Sequence, residues 1–255
     1  GEFYTPQSIV RLMVGLLEPF SGVIYDPACG AGGLLVQAKN HAERGGGSLD
    51  GIRVVGQESN PMTWRLARLN LTLHGILGEL GERWGDTFTE DRHSNLQADF
   101  ILTNPPFGKG THWSRDQLID DPRWVYGVPP ANPANFAWIQ HYLARLSDNG
   151  VAVTVMPNGS LTSRGTEGQI RAAIVDDDRV ECVISLPPHL FYSTPIPVSL
   201  WILTNNKTAR AGRRDRRGEV LFIDARELGR MTSKVHRDLE NEDVQSIVRS
   251  YHAWQ

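Results

Sequence analysis

Short apolar runs alternate with amphipathic stretches along most of the chain, and this alternation restricts the fold more than any single motif. Val23–Tyr25, Arg53–Glu58, Trp84–Phe88, Phe100–Thr103, Val151–Met156 and Val180–Leu186 read as strands, the third of them weakly. Between or before them, Ile9–Leu17, Leu34–Ala42, Met62–His74 and Asn135–Leu146 read as helices. In the last of these, Phe136, Ile139, Leu143 and Leu146 recur at helical spacing. Strand followed by helix, repeated, predicts an α/β fold: a mostly parallel sheet with helices on both faces.

The end of the chain breaks the pattern. Val198–Thr204 and Glu219–Ile223 are strand-like with no helix between them, which predicts a C-terminal antiparallel hairpin. Its tip, 205–218, carries Lys207, Arg210, Arg213, Arg214, Arg216 and Arg217; such a run could bind phosphates, but it reads first as a solvated hairpin tip. Residues 238–255 form a terminal helical stretch. Lys109–Asn135 is the longest irregular stretch, and loops of that length are often functional.

Composition adds limits. The 255 residues are 40% hydrophobic, enough for one large domain spanning 1–255. The two cysteines, Cys29 and Cys182, exclude a disulfide framework and lack CxxC spacing; both read as small buried residues. With no signal-like segment and no membrane-length apolar run, the expected location is the cytoplasm. The histidines show no ligand spacing, so no metal is expected. A net charge of -3 is not that of a dedicated nucleic-acid binder, so any such contact is local or shared with a partner. The chain opens at Gly1 inside a motif and is read as part of a longer polypeptide.

The chemistry gathers at predicted strand ends. Asp26-Pro27-Ala28-Cys29-Gly30-Ala31-Gly32-Gly33 is a glycine loop between strand and helix, where a ligand can approach the backbone. The acid ahead of it repels a pyrophosphate but suits a cation such as the ammonium or sulfonium of S-adenosylmethionine. Glu58 ends the second strand, where an acid can accept both hydroxyls of a ribose. Asp86 can accept from an adenine amine, or simply serve a turn. In Asn104-Pro105-Pro106-Phe107, the Asn104 amide oxygen and the Pro105 carbonyl are two acceptors for one amine, and Phe107 offers a flat face to an unstacked base. Thr5, followed by Pro6, can hold a carboxylate at a helix start or merely cap that helix.

Taken together, these motifs resemble those of N-6 adenine DNA methyltransferases, above all the modification subunit of type I restriction-modification systems. The resemblance rests on GEFYTPQ (1–7), DPACGAGG (26–33), QESNP (57–61), NLTLHG (70–75), NPPFG (104–108), MPNGS (156–160), LPPH (186–189) and FIDAR (222–226). It implies a Rossmann-like methyltransferase fold with a mostly parallel seven-stranded sheet. It implies cofactor contacts from Glu2, Phe3, Tyr4, Thr5, Pro6 and Gln7, from Gly30, Ala31, Gly32 and Gly33, and from Glu58, with Asp26 and Asp86 nearby. It implies that Asn104, Pro105, Pro106 and Phe107 hold a flipped adenine for direct methyl transfer from S-adenosylmethionine. The implied partners are DNA, a specificity subunit that reads the bases, and a restriction subunit. The family's N-terminal helical region is missing from these residues. Methyltransferases of protein glutamine or RNA guanine share the NPPF-type signature, but FYTP at 3–6 favours the DNA-modifying relatives. A non-catalytic cofactor-binding scaffold is the remaining alternative.

Overall fold

The computed structural model describes residues 5–44, 51–106, 113–192, 194–210 and 212–255. In chain order they form α1 (Gln7–Leu17), β1 (Gly22–Asp26), α2 (Gly33–Arg44), β2 (Ile52–Gly56), α3 (Pro61–Leu73), β3 (Gly78–Glu79) and β4 (Ala98–Thr103). There follow α4 (Asn135–Arg145), β5 (Leu146–Pro157), α5 (Gly165–Asp176), β6 (Val180–Ser185), β7 (Val198–Thr204), β8 (Leu221–Asp224) and α6 (Asn241–Trp254). The sheet has eight strands rather than seven, in the order β3-β2-β1-β4-β5-β7-β6-β8. Only β7 runs against its neighbours. One face is covered by α1, α2, α3 and α6. The other carries α4, α5 and the aromatic residues of the long loop before α4. No helix among the described residues is long and apolar enough to cross a membrane.

Strand order fixes where a ligand can sit. From β1 the chain moves outward through β2 to β3, then returns to the other side of β1 for β4 and β5. Loops leaving the carboxyl ends of β1 and β4 therefore diverge and open a crevice between them, the usual ligand position in such sheets.

Three expectations change. The hairpin of β7 with β8 does not form: β6 lies between them, antiparallel to β7 and parallel to β8. The reason is burial. All seven residues of β7 are buried, which suits a strand enclosed on both faces, whereas β8 alternates between half-buried and exposed and takes the edge. Segment 205–218 thus joins β7 to β8 past the amino end of β6, and two of its cations are buried. Lys207 is buried and pairs with Asp178 at 2.5 Å, and Arg216 is fully buried on Glu181 at 3.1 Å. Arg214 and Arg217 pair with Glu219 and Asp215.

Second, Trp84–Phe88 is not a strand. The Asp86 carboxylate accepts the N–H groups of Phe88 (2.9 Å) and Thr89 (3.0 Å), closing a turn that competes with sheet pairing. The edge position goes to β3. Third, Gly165–Asp176, where the sequence pattern predicts no element, is the helix α5; its buried face, Glu167, Ile170 and Ile174, is at helical spacing but holds only two apolar residues.

The long loop is a structural cover. Trp113, Trp124 and Trp138 from α4 pack around Phe88. Trp113 is buried in this cover. Arg123 anchors the loop: it donates to the carbonyls of Thr87 (2.8 Å) and Phe88 (2.7 Å) and pairs with Asp121 at 2.6 Å. Its guanidinium also touches His141, whose full burial and cationic neighbours hold the imidazole well below its ordinary pKa.

Candidate active site

The described candidate residues are carried by the carboxyl ends of β1, β2 and β4 and by the start of α1. A cavity of about 400 Å³ opens there, and its wall includes Thr5, Gln7, Asp26, Gly30, Ala31, Gly33 and Asn104. Glu2, Phe3, Tyr4 and Phe107 lie outside the described residues. Pro6 is buried ahead of α1, Pro105 is buried and Pro106 exposed.

Asp26 is the last residue of β1 and is almost wholly buried. One carboxyl oxygen accepts the Ala28 N–H at 3.1 Å. Burial, with the negative charge of Glu58 adding to it, pushes the carboxyl up to about 7. A carboxyl in this setting is about half protonated at neutral pH, and a cation beside it favours the ionised form.

After Asp26 the chain turns through Gly30 (φ +52°) and Gly32 (φ +78°), conformations that glycine adopts without strain. A Cβ at Gly30 or Gly33 would project into open space, whereas one at Gly32 would meet Ala67 and Leu71 of α3 within 3.8 Å. Gly30 and Gly33 leave room for a ligand; Gly32 lets the loop lie on α3. Glu58 stands behind the loop, outside the cavity wall. Its two oxygens accept the N–H groups of Gly30 (3.0 Å) and Asn60 (2.7 Å), tying the loop to the start of α3. Asp86 also lies outside the wall, occupied by its turn.

Asn104 follows β4. Its side-chain Nδ2 donates to the Thr5 hydroxyl at 3.0 Å, so that hydroxyl serves Asn104 and makes no capping bond to α1. The Asn104 Oδ1 is buried and has no hydrogen-bond partner among the described residues. An unpaired buried acceptor costs about 1–3 kcal/mol, which a bound donor would recover.

Sequence reasoning gave no task to three residues that shape the site. Gln57 is buried and holds the 85–92 loop by donating to the Gly85 (3.0 Å) and Glu90 (2.9 Å) carbonyls and accepting from Arg92 N–H (3.0 Å). Asn70 and His74, from the last turn of α3 and just beyond it, join the cavity wall. Their motif was visible in the sequence, but the contact that matters spans elements far apart in the chain. Cys29 is also in the wall; burial raises its thiol pKa, so it stays protonated and is no nucleophile. Among the described residues no three metal-capable side chains cluster.

A larger cavity, about 560 Å³, lies at the opposite end of the sheet among Tyr126, Asp148, Asp177, Arg179 and Asn205. Its polar groups are turned on one another: Asp177 accepts from Tyr126 at 2.5 Å and from Arg179 at 2.7 Å. It offers less to a ligand than the crevice at the strand carboxyl ends.

Comparison with known proteins agrees with this geometry. The N-6 DNA methylase family model matches residues 1–255. The type I restriction enzyme HindI methylase subunit of Haemophilus influenzae is 44% identical over 256 residues, covering 100% of this chain and 56% of that protein. The MjaIX methylase subunit of Methanocaldococcus jannaschii is 37% identical, covering 98% of this chain and 45% of that one. The crystal structure of a type I restriction-modification methyltransferase subunit from Streptococcus thermophilus superposes with a TM-score of 0.87 at 31% identity, covering 100% of this chain and 54% of that one. The chain spans about half the length of these relatives. With a family match along its whole length and relatives well above 30% identity, the chain belongs to the N-6 DNA methylase family.

Proposed function

We propose that this chain transfers a methyl group from S-adenosylmethionine to the exocyclic amine of adenine in DNA, as part of the modification subunit of a type I restriction-modification system. The observation that carries the reading is the buried, unpartnered Asn104 Oδ1 in the wall of the cavity that also holds Asp26. An acceptor with nothing to accept, beside an acid with no cation, fits an amine brought to a sulfonium. Family membership and the methylase relatives support the same chemistry.

The residues fit the cofactor. Asp26 meets a positive charge, and Gly30 and Gly33 leave room against the backbone. Thr5 and Gln7 close the wall from α1, with Glu2, Phe3, Tyr4 and Pro6 assigned beside them. Glu58 and Asp86 lie outside the described cavity wall, and the family resemblance alone assigns the ribose to Glu58 and the adenine edge to Asp86. S-adenosylmethionine supplies an electrophilic methyl on a cationic sulfur. The chain's part is to orient the nucleophile: Asn104 Oδ1 and the Pro105 carbonyl accept from the amine, raising electron density on its nitrogen, while Pro106 stiffens the turn and Phe107 faces the base. Such catalysis is positioning plus electrostatics. The working form includes a specificity subunit and a restriction subunit, in the cytoplasm of a bacterium or archaeon. The net charge of -3 and the internal pairing of the basic segment support reliance on partners for DNA.

The test is Asn104→Ala in the complex with the specificity subunit. Methyl transfer to adenine should fall by roughly a hundredfold or more, as when a charge-stabilising contact is removed. Calorimetric affinity for S-adenosylmethionine should stay within about twofold of wild type. Retained turnover, or transfer to protein or RNA in place of DNA, would overturn the reading.

A further inference from the structure

The motif at 70–75 has no task in the chemistry above. We propose that Asn70 is a positioning residue for the glycine loop, holding the Ala31 carbonyl so that the loop is set before the cofactor arrives. The inference rests on the cofactor reading of the cavity.

The Asn70 Nδ2 donates to the Ala31 carbonyl at 2.8 Å, across 39 residues of sequence. The loop is gripped on either side of this bond. Glu58 accepts the Gly30 N–H at 3.0 Å, and the Gly32 N–H donates to the Cys29 carbonyl at 2.8 Å. The Glu58 and Asn70 bonds both lead to α3, while the Gly32 bond closes the loop on itself. At its start, the Asn60 side chain accepts from Met62 (2.9 Å) and Thr63 (3.1 Å), while the Asn60 N–H binds Glu58. At its end, a His74 ring nitrogen bonds the Asn70 carbonyl at 2.9 Å, and Gly75 at φ +66° ends the helix. The helix is capped at both ends, and the loop is held by Glu58 just ahead of its start and by Asn70 in its last turn.

The loop needs this. Gly30 and Gly32 flank Ala31, and glycine accepts either sign of φ at little cost. Without Asn70, the 31–32 peptide keeps only the bond from its Gly32 N–H to the Cys29 carbonyl, and its carbonyl side is untethered. A turned peptide would put a carbonyl oxygen where the set loop leads into the first N–H groups of α2, which have no partner within the helix. The α3 fold does not need the bond: Trp64, Ala67 and Leu71 bury its inner face. Loss of Asn70 therefore falls on the ligand more than on the fold.

Titration of S-adenosylmethionine into the chain by calorimetry, with melting of each unliganded variant, tests this. Asn70→Ala should weaken binding roughly tenfold, about the worth of one well-placed hydrogen bond. Asn70→Asp keeps the shape but sets an acceptor against a carbonyl, and should weaken it further. Thr72→Ala, which loses only an exposed bond to the Arg68 carbonyl, should bind as wild type. Melting temperatures of the Asn70 variants should match that of Thr72→Ala. Wild-type binding with both Asn70 variants unaffected overturns this inference alone; so does a milder effect in Asn70→Asp than in Asn70→Ala, which marks a role in packing shape. If both Asn70 variants fail to fold, the residue holds the fold and the inference also falls. Absence of binding by wild type overturns the cofactor reading and this inference with it.

Discussion

At Asp26 the position in the chain and the physical state of the side chain have different origins. The sequence places an acid at the end of an apolar run before a glycine loop; only burial between β2 and β4 raises its pKa from 3.8 to about 7. Because the folded value is raised, the native state binds more protons than the unfolded state between those values. Stability of the unliganded chain therefore falls as pH rises from about 4 to about 7, by up to roughly 4 kcal/mol for so large a shift. Asp26→Asn should flatten that slope in denaturant titrations while abolishing cofactor binding. A cationic cofactor draws Asp26 to its ionised form, so wild-type affinity should rise with pH across the same window, with proton release in calorimetry. A stability profile unchanged by Asp26→Asn would refute the assignment.

At the scale of elements, the crossover between β7 and β8 has the largest single vulnerability. Glu181 on β6 and Arg216 on the crossover are both fully buried, 3.1 Å apart, and Gln255 beyond α6 donates to the same Glu181 oxygen at 3.1 Å. Desolvating two charges offsets most of their attraction, so the pair is weak evidence of net stability. Removing one partner is different, because it leaves a buried charge alone. Arg216→Ala should cost about 3–5 kcal/mol in urea unfolding, and Glu181→Leu with Arg216→Met should recover much of that. A loss below about 1 kcal/mol for Arg216→Ala would show that water reaches the pair. The cation is plain in the sequence, but its fate is not: a run of arginines reads as a solvated tip until one of them is found buried against an acid of β6.

For the whole molecule, the expectation is poor recognition of DNA by this chain alone. The net charge is -3, and Lys207, Arg214, Arg216 and Arg217 are paired with acids. Non-specific affinity should be weaker than the ~10⁻⁴–10⁻⁶ M of dedicated binders at physiological salt. In gel-shift titrations the chain should not separate one short sequence from random DNA. Discrimination beyond about 100-fold, or ~2.7 kcal/mol, would mean that it reads bases itself.

The sequence by itself determined the α/β layering, the strand ends on which the described candidates sit, and the pairing of an acid-led glycine loop with an Asn-Pro-Pro turn. These are local properties: apolar period, helix-starting Asn60-Pro61, glycine where φ must be positive, proline where a donor must be absent. The tertiary structure alone decided which strands neighbour one another, because an antiparallel strand can pair forward or backward in the chain and only the burial of both faces chooses. It also separated the residues that line the cavity from those that support it. Asp86 was given to a turn, Glu58 to the back of the loop, and Asn70 to the Ala31 carbonyl, since hydrogen bonds between elements depend on distances the chain order does not contain.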